Sequence, residues 1–300
     1  MPFTTDMRQK VEQIRNYLFG GGYPNPMANA EQLSFLFFFN MMEGLDSDNK
    51  LLDSKYKSIF VGEWTAKNPN NADSSGKVDK EKFRWSAWAV GMTGEALVRF
   101  VREEVFPFYA EITAESANDF LRDARLVIDE PVVLKQVLTL IDELRLDTAD
   151  SDTKGDLFEH ILGQIEQAGE LGQFRTPRHI IRTIVEMVNP QIGETIYDAA
   201  AGTAGFLVGA YNHIRLQHSS DDGTEEVEVD GKIIKRGVGD KLSKKEHAVL
   251  RTQTFYGNDV DGTMVHLATM NLMLRGLPDV RILKRNALTQ TMDRDRRAEF

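Results

Sequence analysis

Three hundred residues, 41% apolar, 27% charged and 9% aromatic, describe a folded globular chain with room for two domains and exclude a fibrous or disordered one. There is no cysteine, which removes disulfide frameworks, thiolate metal sites and cysteine nucleophiles, and no apolar run reaches the roughly 18–20 residues that span a bilayer. With 46 Asp and Glu against 36 Lys and Arg, a net charge of −10, the chain is a poor stand-alone binder of nucleic acid, and if it works on DNA or RNA something else supplies much of the grip.

Between Met7 and Phe19, Val11, Ile14 and Leu18 recur at helical spacing, and Gly20-Gly21-Gly22 with Pro24 and Pro26 closes that helix. A second helix is predicted from about Glu31 to Leu45. Leu33, Phe35, Leu36, Phe37, Phe38, Phe39, Met41 and Met42 make it apolar around most of its circumference, as for the central helix of a bundle. The polar run Asn68 to Gly76 reads as a loop, and Trp64, Trp85 and Trp88 are expected in the core. Further helices are predicted at 92–106, 115–126 and 131–146.

Near residue 150 the pattern changes. The polar segment Asp147 to Gly155 separates a helical N-terminal domain, 1–150, from a second domain, 151–300, in which strands and helices alternate. Helices at 157–168 and 178–188 lead into a strand at 195–197, a helix at 206–214, a strand at 254–256, a helix at 263–274 and a strand near 280–282. That alternation predicts an α/β domain with a parallel, doubly wound sheet. The stretch 216–246 interrupts it. Glu225 to Lys235 alternates about Asp230-Gly231, a hairpin signal, and its acidic and basic arms mark a solvent-facing excursion without chemistry of its own.

Three segments carry chemistry. Asp198-Ala199-Ala200-Ala201-Gly202-Thr203-Ala204-Gly205-Phe206 lies at a strand-to-helix turn, where small residues let a ligand approach the backbone. It lacks the third glycine of the dinucleotide fingerprint, and Asp198 suits an ammonium better than a pyrophosphate; an ordinary tight turn is the alternative. In Tyr256-Gly257-Asn258-Asp259-Val260-Asp261, Asp259 ends the second strand, where an acidic residue can take two ribose hydroxyls or cap a helix, and Asp261 is the better cap for the next helix. In Gly172-Gln173-Phe174-Arg175-Thr176-Pro177-Arg178, Pro177 opens a helix with Thr176 as its N-cap. Exposed amides there, with Arg175 near, can bind a carboxylate, although the residues by themselves require only a well-capped helix.

Together these segments resemble the amino-adenine DNA methyltransferases, and within them the modification subunit of type I restriction–modification systems. Gly172 to Arg178 looks like the family's G-Q-Y/F-x-T-P-R, Asp198 to Phe206 its D-P-A-x-G-T-A/G-G-F, and Gly257 to Asp261 with Met270-Asn271-Leu272-Met273-Leu274-Arg275-Gly276 its ribose-binding strand and following helix. The Phe-rich helix resembles that of the family's helical N-terminal domain. The resemblance implies an all-helical domain followed by a truncated Rossmann-like methyltransferase domain that uses S-adenosylmethionine to methylate N6 of adenine in DNA. It places Gln173, Phe174, Arg175, Thr176, Pro177 and Arg178 around the methionine end of the cofactor. Asp198 would receive the amino group, Gly202, Thr203, Ala204 and Gly205 would line the loop, Asp259 would bind the ribose, and Asn286 is a weaker candidate beside the adenine ring. It further implies a specificity subunit, a restriction subunit and DNA as partners; no metal is expected, and with no secretory signal and no bilayer-spanning run in view a cytoplasmic location is the default.

Two departures stand out. Ala199 replaces the family's proline, which loses loop stiffness but no contact group. The catalytic tetrapeptide N-P-P-F/Y is absent, since no two prolines are adjacent and Asn68-Pro69 and Asn189-Pro190 lie in other contexts. In the family that motif ends the fourth strand, past Phe300, so these 300 residues are expected not to catalyse methyl transfer by themselves. The alternatives are a non-catalytic assembly module that binds a specificity subunit, and a methyltransferase acting on something other than DNA.

Overall fold

The computed structural model describes residues 3–52, 55–65, 76–115, 120–167, 176–229, 232–277, 279 and 281–289, and the chain divides into two units, Met1–Glu170 and Leu171–Phe300. The first is helical. Helix α1 (Thr5–Gly20) starts at Thr4, whose hydroxyl accepts from the Met7 amide at 3.3 Å, and it buries Met7, Val11, Ile14 and Leu18 as the spacing predicts. It stops where Gly22 turns left-handed (φ 94°) and the Tyr23 amide donates back to the Leu18 carbonyl at 2.9 Å. Helix α2 (Pro26–Leu52) overruns the predicted 31–45 at both ends. The Asn25 side chain accepts from the Ala28 amide at 2.9 Å, and Pro26 needs no donor at a first helical position, so the helix begins ahead of its apolar run.

Gln32 through Met41 are buried without interruption, which makes α2 the central helix of its unit. Phe35 and Phe39 meet the Phe106 ring edge-on, and Phe39 stacks on Tyr109 at 4.6 Å; burying each such ring contributes roughly 1.5–3 kcal/mol. Strands β1 (Glu63–Thr65) and β2 (Lys77–Asp79) pair antiparallel, followed by a short 3₁₀ turn, Lys80–Phe83, and helix α3 (Trp85–Trp88). The loop predicted at 68–76 lies outside the described residues apart from Gly76. All three tryptophans are buried as expected, and each indole N–H has a partner: Glu111 for Trp64, Asp142 for Trp85, and the Phe83 carbonyl for Trp88. Asp46, 1% exposed, accepts from Tyr56, Ser58 and the Ile59 amide and so ties segment 56–59 to α2.

The helix predicted at 92–106 is α4 (Gly94–Phe100) running through a π-helical turn, Val101–Val105, into α5 (Phe106–Glu115). The helix predicted at 115–126 is not formed over its described part: residues 120–123 turn and the chain to 130 is irregular. Buried Gln32 donates to the Arg125 carbonyl and accepts from the Val127 amide, both at 2.9 Å, which pins this irregular segment to α2. Helix α6 (Pro131–Glu143) follows the prediction. Helix α7 (Ser151–Gln167), assigned from sequence to the second domain, packs on α1 and α2 through Leu157, Phe158, Ile161, Leu162 and Ile165 and falls in the first unit.

The second unit opens with α8 (Arg178–Val188), then β3 (Ile196–Asp198) and α9 (Gly205–Gln217). Strands β4 (Thr224–Val229) and β5 (Lys232–Gly237) form the expected antiparallel hairpin, and α10 (Lys244–Thr252), β6 (Phe255–Asp259), α11 (Gly262–Leu274) and β7 (Arg281–Lys284) complete the described elements. Helix α10 was not predicted, although Ser243 and Glu246 form a capping box that its sequence spells out. The sheet is parallel in the order β3-β6-β7, with Gly257 opposite both Asp198 and Ile282. Leu207, Tyr211 and Ile214 of α9 and Val265, Ala268 and Leu272 of α11 pack with Phe255 and Ile282 in one core. The hairpin insertion closes on itself, since the Lys241 amide donates to the His218 carbonyl at 2.9 Å and Ser220 donates to Asp240 through both amide and hydroxyl. Among the described residues no helix is long and apolar enough to cross a membrane.

Candidate functional site

In a parallel sheet the carboxyl ends of the strands, where helices begin, form the ligand-binding edge. Here that edge carries Asp198 at the end of β3 and Asp259 at the end of β6, one strand apart. Between β3 and α9 the chain makes a tight loop in which Gly202 (φ 53°) and Ala204 (φ 65°) are both left-handed. Gly202 adopts this at no steric cost, whereas Ala204 holds a conformation that disfavours a side chain by about 1–2 kcal/mol. The Ala204 amide closes the turn on the Ala201 carbonyl at 2.7 Å.

Both carboxylates hold this loop. Asp198 accepts from the Ala200 amide at 3.1 Å; Asp259 accepts from the Gly202 amide at 2.9 Å through one oxygen and from the Asp261 amide at 3.0 Å through the other. Asp261 itself caps α11, accepting from Thr263 at 2.8 Å, as its position in the sequence predicts. Burial pushes the Asp198 carboxyl above the ordinary carboxylate value. The Ala200 hydrogen bond pulls it back, and the negative charge of Asp259 pushes it up again. Two acidic groups converging on one half-buried turn form a locally negative site suited to a cationic, hydroxyl-bearing ligand.

The remaining sequence candidates divide by place. Thr203 and Ala204 are buried together with Ala201 and Gly202, and the exposed part of the loop is Ala199 and Ala200. Gly205 is the first residue of α9, and a Cβ there would lie 2.9 Å from Ile181 Cδ1, so its lack of a side chain lets α8 pack on α9. That contact sets the first turn of α8 beside the start of α9. Thr176 is not the N-cap. Pro177 occupies the cap position with no side-chain capping bond, and its carbonyl accepts from Ile180 and Ile181, which starts the helix at Arg178. Thr176 and Arg178 are half-buried and Pro177 is exposed; Gln173, Phe174 and Arg175 lie outside the described residues. Asn286 accepts from the amides of Leu288 and Thr289 at 2.9 and 3.3 Å, so its side chain closes a turn after β7.

Two residues that sequence reading did not single out belong to the same edge. Asn258, 3% exposed, donates to the Ala199 carbonyl at 3.3 Å and accepts from the hydroxyl of Tyr197, whose ring is 40% exposed on β3. Asn271, fully buried on α11, donates to the Thr203 carbonyl at 2.8 Å. An asparagine within a helix that is otherwise almost wholly apolar was the available signal.

S-adenosylmethionine carries an ammonium, a sulfonium and a ribose diol, and the carboxylates at the ends of β3 and β6, both partly exposed beside a loop of small residues, fit its ammonium and its diol.

Comparison with known proteins agrees with this architecture. Residues 149–300 match the family of N-6 DNA methylases. The chain is 33% identical to the methylase subunit of the type I restriction enzyme EcoEI of Escherichia coli over 147 residues, which covers 45% of this chain and 30% of that protein. It is 26% identical to the StySPI methylase subunit of Salmonella potsdam over 205 residues, covering 64% of this chain and 37% of that one. It thus spans about a third of the length of these curated relatives. Among solved structures, a chain from a study of type I restriction–modification complex assembly superposes with a TM-score of 0.67 at 21% identity, covering 96% of this chain and 52% of its own length. A type I modification subunit from Vibrio vulnificus YJ016 gives 0.65 at 22% identity, covering 96% and 57%. These two likenesses show the fold, helical region and methyltransferase-like domain alike. With the family match extending over just more than half of its residues, the chain belongs to the N-6 DNA methylase family.

Proposed function

We propose that this chain is the front part of a type I modification subunit, the helical domain and the cofactor-binding half of a methyltransferase that acts on N6 of adenine in DNA. The observation that carries this reading is the convergence of Asp198 and Asp259 on the loop at Gly202, on the ligand edge of a parallel sheet. When bound, S-adenosylmethionine supplies a methyl carbon activated by the neighbouring sulfonium. Asp198 would take its ammonium and Asp259 its ribose hydroxyls, with the backbone of Gly202 to Gly205 along one side. The segment Gln173 to Arg178, leading into α8, would surround the methionine end, and Asn286 stands as the weaker candidate on the adenine side.

The chain has no N-P-P-F/Y motif to hold the target amino group in line with the methyl carbon, so these 300 residues bind cofactor without methylating DNA alone. The rest of the methyltransferase domain, a specificity subunit and DNA would complete the enzyme, and a restriction subunit would join it. The net charge of −10 supports a division of labour in which a partner supplies the basic DNA-binding surface. A cytoplasmic location accords with that assembly.

Calorimetric titration with S-adenosylmethionine tests the reading. Wild type should bind, and Asp259→Ala should bind about 10–100-fold more weakly, the loss expected when hydrogen bonds to a charged group disappear. Equal affinities would remove Asp259 from the site. Binding to a specificity subunit with no response to the cofactor would favour the assembly-module reading.

A further inference from the structure

The loop from Ala199 to Ala204 is held from two sides by chemically different groups. Its amides at Ala200 and Gly202 donate to the two carboxylates, and a ligand that engages those carboxylates competes for the same oxygen atoms. Its carbonyls are held elsewhere. Asn271 donates to the Thr203 carbonyl at 2.8 Å from the core side, and Asn258 donates to the Ala199 carbonyl at 3.3 Å. The Ala201 amide is also fixed, to the Asn258 backbone carbonyl at 3.0 Å. Both asparagine side chains are nearly or fully buried, away from any ligand.

We infer that Asn271 and Asn258 are positioning residues that keep the loop in its binding shape independently of the carboxylates. The inference rests on the cofactor reading above and adds to it a second layer of residues that touch only protein. The physical reason is an asymmetry of exchange. When Asp198 and Asp259 turn part of their hydrogen-bonding capacity to a ligand, the amide anchors weaken while the carbonyl anchors do not. Without those anchors, Thr203 would present a buried carbonyl with its side-chain donor removed, next to two left-handed residues, Gly202 and Ala204, whose backbone relaxes readily once released.

The test uses the 300-residue chain with Asn271→Leu, which keeps the branching at Cγ and removes the donor, and Asn271→Asp, which keeps the shape but, when ionised, cannot donate. Asn258→Leu is the parallel variant. Two measurements are made on each: S-adenosylmethionine affinity, and amide hydrogen exchange at Gly202 and Ala204 against amides of α1 and α6. The expected result is about tenfold or greater weakening of binding, with faster exchange confined to the loop and an unchanged unfolding midpoint for the first unit. Rescue by Asn271→Gln of part of the lost affinity would further support a donor role. Wild-type affinity and wild-type loop exchange in Asn271→Leu and Asn271→Asp would overturn the inference. If wild type itself binds no cofactor, the cofactor reading fails separately and loop exchange alone decides: faster exchange upholds the anchors and unchanged exchange refutes them.

Discussion

Replacing Gly257 by alanine should disturb the site without touching a ligand-facing group. Gly257 lies mid-strand in β6, and a Cβ built on it falls 2.9 Å from the Asp198 carbonyl oxygen, 3.1 Å from Ile282 Cδ1 and 3.3 Å from Ala201 Cβ. Ile282 can turn its terminal methyl aside; the Asp198 carbonyl cannot move without β3. Ordinary contact needs a separation about 0.5 Å longer, so the end of a three-residue strand must retreat by that amount. Overpacking of this kind costs about 1–3 kcal/mol, or roughly 4–12 °C in the unfolding midpoint of a unit this size. The same displacement carries the Asp198 carboxylate with it and should weaken cofactor binding about tenfold or more, because site geometry tolerates only about 0.5 Å. All three tryptophans sit in the first unit, so urea unfolding should be followed by circular dichroism rather than tryptophan fluorescence, with calorimetry for binding. Gly209→Ala is the control. Its Cβ would meet Ile181 Cγ2 at 2.9 Å and Val185 Cγ2 at 3.5 Å, side-chain ends that can shift, and helix propensity gains about 1 kcal/mol, so the net change should stay within about 1 kcal/mol. A Gly257→Ala protein with wild-type midpoint and wild-type affinity would refute the packing argument.

Asp198→Asn should separate stability from binding. Because burial and Asp259 raise the folded carboxyl above its unfolded value, the stability tied to protonated Asp198 is complete below the unfolded value and lost as pH rises through the folded one; Asp198→Asn should therefore be more stable than wild type at neutral pH and not at acid pH, by urea titration at both. Cofactor affinity of wild type should fall as acid protonates Asp198, while the variant binds weakly with a flatter profile, read by calorimetry across pH. Ser243→Ala, which breaks the capping box of α10, should cost about 1 kcal/mol in urea unfolding. Asp46→Ala strips partners from Tyr56, Ser58 and the Ile59 amide together, and should destabilise the first unit by roughly 2–4 kcal/mol, measured by tryptophan fluorescence.

Elements whose cause is local were readable in the sequence. The strands and helices that build the parallel sheet between 195 and 284 follow from apolar runs cut by Asp198-Ala199, Asp259-Val260-Asp261 and Gly276, and the structure moves those boundaries by only a few residues. Helix α10 is equally readable from Ser243 and Glu246, but its start overlaps the end of the charged insertion 216–246. Elements decided by distant contacts were not readable. Gln32 holds Arg125 and Val127 in irregular backbone from 93 and 95 residues away, and no local pattern announces that. In the site, Asp198 and Asp259 could be picked out because an acid at a strand end has a chemical meaning by itself. A lone asparagine in apolar α11 stands out, but neither Asn271 nor Asn258 could be given a role, because that role lies in which carbonyl each one reaches. Gly205 and Gly257 read as ligand-loop and strand glycines, yet the first makes room for Ile181 and the second for the Asp198 carbonyl. Ala204 gives no sign of left-handed backbone, since alanine is an uncommon residue there.

The self-closing neck of the hairpin insertion has a kinetic and practical consequence. Parallel strands β3 and β6 can pair only after the long connection between them has been gathered in, and such non-local contacts form late. The tie from Lys241 to His218, reinforced by Ser220 and Asp240, makes the chain leave and return at nearly one point. The excursion therefore adds residues to the connection without adding distance, and its antiparallel pair can form early from contacts near in sequence. Loop-closure entropy rises by only about 0.6 kcal/mol for each doubling in length, so the sheet tolerates an arm of almost any size at that neck. Joining Ser219 to Asp240 through a short turn, or splicing a reporter domain between Val229 and Lys232, should leave the β3–β6 register intact, which makes the neck the natural place to trim or label this protein.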